Sequence, residues 1–482
     1  MSISQALNNA ITGLNASSRM AEVTSSNLSN ALTDGYGRRV LEVSAASIGG
    51  QGAGVRIDGV VRLVDRALIA DRRGADSDMS FAQTRNEMLV RLDRILAQAD
   101  DPASLGARLA AFESALIAAG ADPASDQLLS NAVARLGAVT ETLDSASRDI
   151  QSLRQEADAA IARDIDTLNA ALLRIERLNA DISESRIRGL DPSGLMDERQ
   201  RAIDTVAGIV PVRELQRENG RIALMTPGGE ILIDGTAGTY SFQQVNTITP
   251  DMKLASGGLF GITRDGVPMS LTDGFGRLAG GSLEAAFQMR DDVLVTAQTG
   301  LDQIAADLIA RFEDPATDPS RPAGTPGLLT NGGMVLDPAD ITGLAQRLAI
   351  NAAVDPVLGG IVTRLRDGVG AAVPGPVGDA AQITRWLDAL AARTSTAPGA
   401  TGLSATGLVA RFGDATATRS YRAEEELSFQ TARRDRLYQA ELAQGVDTDA
   451  ELQTLLRIEQ AYAANARLIQ AAGSMIQTLM EI

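Results

Sequence analysis

The chain has no cysteine and no histidine among its 482 residues, a single lysine (Lys253), one tryptophan and only 3% aromatic residues. Without cysteine there can be no disulfide, no thiolate nucleophile and no thiolate metal site. Without histidine there is no Ser-His-Asp triad, no H-E-x-x-H zinc site and no imidazole general base. Chemistry could come only from carboxylates, Ser, Thr, Tyr, Lys and Arg. Cations of any kind are outnumbered, 44 Lys plus Arg against 61 Asp plus Glu, for a formal charge of −17. That balance excludes a general basic surface for nucleic acid. No uninterrupted apolar run approaches the ~18 residues of a spanning helix, which predicts no membrane insertion. The first cation is Arg19 and no apolar run precedes it, so the N-terminus does not read as a cleaved secretory signal.

What is present is aliphatic: 44% of residues are hydrophobic, chiefly Ala, Leu, Ile and Val. The length predicts two to four domains. The opening stretch sets the pattern. Ile3, Leu7, Ala10, Leu14, Ser17, Ala21, Thr24 and Leu28 recur at alternating spacings of four and three, one narrow stripe on a helix. The far end carries a counterpart in Leu452, Leu455, Glu459, Tyr462, Ala466, Ile469, Gly473, Ile476 and Met480. A stripe diluted with Ala and Ser does not hold a helix alone, so both ends need packing partners.

Between the ends, residues 38–64 alternate weakly and carry a Gly-rich loop at 49–54 followed by a strand at 55–61. The loop lacks G-x-G-x-x-G and G-K-[ST] spacing and reads as a connector, not a phosphate cradle. Helical pattern resumes over 64–98, breaks at Asp100-Asp101-Pro102, and gives a short helix at 105–119. The longest signal follows. Leu129, Val133, Leu136, Leu143, Ile150, Ala157, Ile161, Leu168, Ile175, Leu178 and Ile182 hold near-heptad spacing until Gly189. About sixty residues at ~1.5 Å each make a rod of about 90 Å, more typical of bundles and assemblies than of compact enzymes. Asp164 interrupts its seam. Short strands are expected at 209–212, 221–224 and 230–233, with further Gly-punctuated pieces to 273. A helix returns over 281–312. A proline-rich loop, a β or mixed segment (328–377), a short helix at 383–392 and a helix over 419–443 lead to the final one.

These patterns predict a mainly α fold with β insertions, elongated and nested. Terminal coiled-coil helices (1–45 with 445–482) flank a long-helix bundle with a small β part (46–240, 276–327 and 378–444). That bundle in turn flanks β-rich outer insertions (241–275 and 328–377).

Several stretches carry a resemblance. Asn27-Leu-Ser-Asn30-Ala-Leu-Thr33-Asp-Gly35-Tyr36 resembles the N-terminal signature of the bacterial flagellar rod, hook and hook-associated proteins. Gly445-Val-Asp-Thr-Asp-Ala-Glu451-Leu, followed by Gln460-Ala-Tyr462-Ala-Ala-Asn465-Ala-Arg467, is similar to the C-terminus of the hook–filament junction members. Leu195-Met-Asp197-Glu-Arg199 looks like their L-x-D-x-R-D segment, and Gly281 to Leu294 like their G-x-L-x-G-L-x-x-x-R-D helix. Leu32 and Asp34 stand where the family often has Asn and Pro, and Gly37 where Thr or Ser usually precedes Arg38. No specific match is visible in 328–377.

The resemblance implies a structural adaptor joining hook to filament, with no catalytic, metal or cofactor residues. It implies export through the flagellar type III apparatus to an extracellular position at the hook–filament junction. The implied partners are further copies of the chain in a ring, the hook protein, a second junction protein or filament, and an export chaperone on the C-terminal helix. The assembly interface would comprise Ile3, Leu7, Ala10, Leu14, Ala21 and Leu28 at one end. At the other it would comprise Leu452, Leu455, Tyr462, Asn465, Ala466, Ile469, Ile476 and Leu479. In the signature turn of Asn27, Asn30, Thr33, Gly35 and Tyr36, Asn30 and Gly35 are expected at positive φ. Tyr36 is expected to lay its ring on the helix end with its hydroxyl hydrated.

A hook or distal-rod subunit shares the Asn/Thr-Gly-Tyr signature but not the long helix. A surface hydrolase is the alternative of another class, disfavoured by the missing His and Cys. Asp191, Asp197, Glu198 and Asp204 read as helix caps and solvated faces, not a metal or acid/base cluster. Arg433, Arg434 and Arg436 read as pairing along their own helix with Glu424, Glu425 and Glu426. Phe81, Phe287, Phe312 and Trp386 read as core.

Overall fold

A computed structural model describes residues 3–48, 51–96, 101–270 and 275–481. Gly49 and Gly50 of the expected loop, and Asp100 of the expected helix break, lie outside those residues.

The chain begins with helix α1 (Ile3–Ser29) and a long antiparallel ribbon, β1 (Arg38–Ile48) with β2 (Gln51–Leu63). Helices α2 (Arg66–Leu96), α3 (Leu105–Ala121), α4 (Asp126–Ile187) and α5 (Ser193–Ile209) follow. Two small antiparallel sheets come next: β3 (Arg213–Gln216), β4 (Ile222–Met225), β5 (Ile231–Asp234) and β6 (Thr236–Ala237), then β7 (Tyr240–Phe242), β8 (Ile262–Arg264) and β9 (Val267–Pro268). Helix α6 (Gly281–Gln288) passes through a π-helical turn at Met289–Val293 into α7 (Leu294–Glu313). Strand β10 (Leu329–Asn331), helix α8 (Leu344–Arg347), strand β11 (Leu348–Ile350) and helices α9 (Arg364–Asp367) and α10 (Ala381–Ala391) precede two long closing helices, α11 (Ala405–Ala443) and α12 (Thr448–Met480).

Helix α4, 62 residues long, is the spine. Ser125 caps it by accepting a bond from Leu128 N, and Asp126 sits favourably in its first turn. It ends where Gly189 turns to φ +72° and Leu190 N reaches back to Ser185 O. Every seam residue expected from the heptad pattern is buried. The first half, through Leu153, packs in one apolar core with α3, α7 and α10; Phe312 and Trp386 meet there edge to face at 5.5 Å. The second half, from Ile161, packs in another core with α5, α6 and strands β4, β5, β7 and β8.

Between the two cores lies a polar layer. Arg290 Nη1 donates to Asp158 Oδ1 at 2.6 Å, both side chains fully buried, with Phe287 4.7 Å from the guanidinium. Arg154 donates to the carbonyls of Arg290, Thr249 and Met252. Burying charge is tolerated because nearly every donor of this layer has an acceptor. The π turn at Met289–Val293 contains Arg290 itself.

Neither segment expected as an outer insertion has a core of its own. Tyr240, Phe242 and Ile262 join the second core. Residues 328–377 contain only two three-residue strands, and Leu328, Leu344, Val354 and Leu365 belong to the first core. Asp302 of α7 ties this segment down by accepting from Gly343 N and Ala345 N at 2.8 and 2.9 Å. Residues 38–64, expected as a connector with one strand, form the two-stranded ribbon, with register shifts at Glu42/Val43 and Ala45/Ser47. The bulged, glycine-broken alternation hides β1 from a period-two reading.

Candidate assembly surface and the joint behind it

Helices α1 and α12 pack antiparallel: Gly13 abuts Asn465, and Asn27 Nδ2 donates to Glu451 Oε2 at 3.2 Å. The approach at Gly13 is close, since a Cβ there would lie 2.8 Å from Asn465 Nδ2. On α12 the seam residues Glu451, Ile458, Asn465 and Ala472 are seven apart; Glu451, Ile458 and Ala472 are buried and Asn465 half-buried. Leu455 and Ile469, four residues after a seam position, are half-buried, as is Ala466. The remaining α12 residues expected at an interface point largely to solvent: Leu452 is 45% exposed, Tyr462 44%, Ile476 38% and Leu479 63%. Leu456, Leu468 and Met475 are exposed as well.

On α1, Ala10, Ser17 and Thr24 of the expected stripe are buried, while Ile3, Leu7, Leu14, Ala21 and Leu28 are half-buried. The residues that touch α12 run through Gly13 and Asn27, so Leu7, Leu14 and Ala21 lie on the flank, roughly a quarter-turn round the helix. The ribbon covers another face. Thr12 Oγ1 accepts from Val55 N at 3.2 Å, and a Cβ on Gly54, at φ +93°, would collide with Thr12.

The signature turn builds a joint instead of a simple helix end. Buried Asn27 is its centre: Oδ1 accepts from Tyr36 OH and Arg39 N, both at 2.9 Å, and Nδ2 also donates to Arg39 O at 2.8 Å. The Tyr36 hydroxyl is therefore bonded within the protein, not hydrated as expected, and Arg39 covers its ring at 4.8 Å. Gly35 takes the expected positive φ of +73°. Asn30 does not; its Nδ2 donates to Ser26 O at 2.9 Å and closes the helix from the side. Thr33 Oγ1 donates to Asn30 Oδ1 at 3.3 Å. Leu32, at the tip, is 99% exposed.

Three elements converge on this turn. From α12, Glu451 accepts from Arg38 Nε at 2.7 Å as well as from Asn27, and Asp447 caps the helix start. From α5, buried Asp197 accepts from Gly37 N at 3.0 Å, Arg39 Nη2 at 2.7 Å and Arg62 Nε at 2.6 Å. From α11, Tyr438 OH donates to Asp34 Oδ1 at 2.8 Å. One layer deeper, Arg72 pairs with Asp76, Asp204 and Glu441. Burial works against its charge, but those three carboxylates outweigh burial and hold its pKa above the ordinary arginine value.

Two expectations are corrected here. Asp197 and Asp204 are not solvated caps: both bind arginines from other elements, Arg39 and Arg62 for Asp197, Arg72 and Arg73 for Asp204. Arg433 and Arg434 do not pair with Glu424–426 but cross to Asp78 and Asp76 of α2. Of the expected core aromatics, Phe287, Phe312 and Trp386 are buried, and Phe81 is half-buried beside Arg85. Among the described residues no group of three His, Cys, Asp or Glu side chains could hold a metal, and no helix is long and apolar enough to cross a membrane.

The chain matches two protein families. Residues 89–319 match "Flagellar hook-associated protein FlgK helical domain" and residues 442–482 match "Flagellar basal body rod FlgEFG protein C-terminal". Curated relatives named flagellar hook-associated protein 1 are 28% identical over 244 residues in Salmonella typhimurium and 26% identical over 241 residues in Bacillus subtilis. Over these residues the chain is similar to flagellar hook-associated proteins. The alignments take in 48% and 47% of this chain and 43% and 47% of those relatives, so it matches under half of their length. The fold is that of the flagellar hook junction protein FlgK of Burkholderia pseudomallei, at a TM-score of 0.60 and 13% identity, covering 78% of this chain and 100% of that one.

Within the hook-associated family match, residues 89–319, fall the α4 spine, the Asp158–Arg290 layer and Asp197. Within the rod-type C-terminal match fall the whole of α12 and Glu451. The joint thus connects the two matched portions.

Proposed function

We propose that this chain is a non-catalytic structural adaptor of the bacterial flagellum that joins hook to filament through its terminal helices. The observation that carries this reading is the surface of α12. Leu452, Leu456, Leu468, Met475, Leu479 and Met480 are exposed along a helix whose pairing with α1 is already made. With the half-buried flank of Leu7, Leu14 and Ala21, this gives the terminal pair apolar surface on sides that the chain itself does not cover. Neighbouring copies in a ring, the hook protein below and a second junction protein or the filament above are the partners that would cover it. The same exposed face of α12 suits an export chaperone before assembly, and the protein would reach the cell exterior.

The assembly interface would comprise Ile3, Leu7, Ala10, Leu14, Ala21 and Leu28 with Leu452, Leu455, Tyr462, Asn465, Ala466, Ile469, Ile476 and Leu479. The family match over residues 89–319 and the shared fold with a hook junction protein support the junction role over a hook or distal-rod subunit. A deletion strain tests it: filament subunits lost to the medium from complete hooks are expected, and absent hooks would assign the chain to the rod or hook instead. Removing residues 1–30 should leave a folded bundle that no longer joins the structure; normal filament growth from that truncation would refute the assembly role of α1. Activity in hydrolase screens of the purified protein would revive an enzymatic reading.

A further inference from the structure

Behind the joint, between the start of α2, the C-terminal end of β2, α5 and β3, lies a cavity of about 410 Å³. Its charged lining is one-sided for a protein of charge −17: Arg62, Arg66, Arg73 and Arg199 against the single carboxylate of Glu214. Glu214 is already bonded to Arg73, 3.1 Å away, and Arg62 is bonded to Asp197. Arg66 is exposed and makes no ion pair among the described residues. Arg199 is 5% exposed; its Nη1 donates to Asn179 Oδ1 and Gly220 O, both at 2.8 Å, and no carboxylate pairs with it. Two neutral acceptors orient this guanidinium without neutralising it. Burial above all, then the charges of Arg62, Arg186 and Arg66 against the partial relief from Glu214, pull its pKa down to about 10. A fixed, buried and uncompensated cation is costly unless an anion completes it.

The rest of the lining is aliphatic, including Ile69, Met196, Ile203 and Val212. A bare phosphate would gain nothing from that half. We infer that the cavity receives a carboxylate on an aliphatic stem, the shape of a glutamate side chain, presented by a neighbouring protein chain and held by Arg199 and Arg66. Guanidinium groups suit this task because they offer planar paired donors to a carboxylate. The inference does not depend on which flagellar position the chain occupies.

The test uses the full chain. Glutarate should raise the unfolding temperature saturably over sodium chloride at matched ionic strength, with inorganic phosphate weaker. Arg66→Ala, at an exposed position, and Arg199→Lys should each weaken glutarate at least tenfold. No saturable glutarate response, or an unchanged one in Arg66→Ala, overturns the site. The absence of cysteine permits a second arm: Arg66→Cys carrying a photo-cross-linker, in intact assemblies. Cross-links to an acidic stretch of a neighbouring chain are expected. A glutarate response with cross-links only inside the same chain overturns the protein-borne carboxylate.

Discussion

The α4 spine and the terminal pair of α1 and α12 are both long helices with heptad-like apolar spacing, yet they end up in opposite situations. Leu129, Leu143, Ile150, Ile161 and Ile182 of the spine are completely buried, packed on other elements of the same chain. On α12 only Glu451, Ile458 and Ala472 are buried, and most of the larger apolar side chains, Leu452, Leu456, Leu468, Met475 and Leu479 among them, are exposed. The same periodicity thus serves closure in one region and leaves an open face in the other. The difference lies in the supply of partners: the chain provides α3, α5, α6, α7 and α10 around α4, but, among the described residues, chiefly α1 against α12. The joint of Asn27, Asp197 and Glu451 couples the two regimes, so the terminal pair is oriented by the bundle even though it is weakly covered.

The comparison can be tested hardest at the spine. Asp158→Ala leaves fully buried Arg290 with Asp291 as its remaining carboxylate and takes the acceptor from Val245 N, and is expected to cost about 3 kcal/mol in urea unfolding; a loss below about 1 kcal/mol would mean that the polar layer does not hold the bundle. At the joint, Asp197→Ala leaves Arg39 and Arg62 without their carboxylate and should cost about 2–3 kcal/mol. Its hydrogen-exchange signature is regional: faster exchange in α1, the ribbon and α12, little change in the first half of α4. Uniform acceleration across the chain would argue against a joint between separable regions. In the free wild-type chain, amides of α1 and α12 should exchange faster than those of α4, as expected of elements with few buried contacts. Leu456→Ser, on the open face, should shift stability by no more than about 0.5 kcal/mol while impairing incorporation into flagella.

The smallest effect concerns pH. Asp164 on α4 has its pKa raised, mainly by burial, with the Ser282 hydroxyl at 2.7 Å and Arg163 opposing. An acid raised on folding stabilises the native state below its unfolded value of about 4 and loses that contribution as pH climbs through its folded value. The unfolding-temperature advantage of Asp164→Asn over wild type should therefore grow as pH rises above about 4. An advantage that shrinks over that range would show that the Ser282 bond and Arg163 outweigh burial.

Legibility followed the strength of the local pattern. The spine was readable because its seam is aliphatic at nearly every position and a capped helix without proline has one way to bury it. The α12 seam was only half readable. Leu455, Tyr462, Ile469 and Ile476 stand out, but their companions Glu451, Ile458, Asn465 and Ala472 include two polar residues that a hydrophobicity pattern passes over. The family stretch Gly445 to Arg467 did contain Glu451 and Asn465, and Leu195 to Arg199 contained Asp197, so resemblance pointed at residues whose task it could not state. Strand β1 escaped notice because it needs β2, and the bulges blur alternation on both. The two supposed outer insertions are not separate units, because their apolar residues pack into the cores built on α4.

By itself the sequence determined what depends on neighbours along the chain: the extents of most helices (α11 starts at Ala405, well ahead of the expected 419), the apolar seams, the turn at Gly35, and the exclusion of thiol and imidazole chemistry. It also carried the family signature at both ends. Only the tertiary structure decided which polar residues meet across hundreds of positions, Asn27 with Glu451, Arg39 and Arg62 with Asp197, Arg290 with Asp158. The physical reason is that apolar burial is nondirectional and announces itself as periodicity, whereas a buried charge is tolerated only where the fold delivers a particular partner within hydrogen-bond reach.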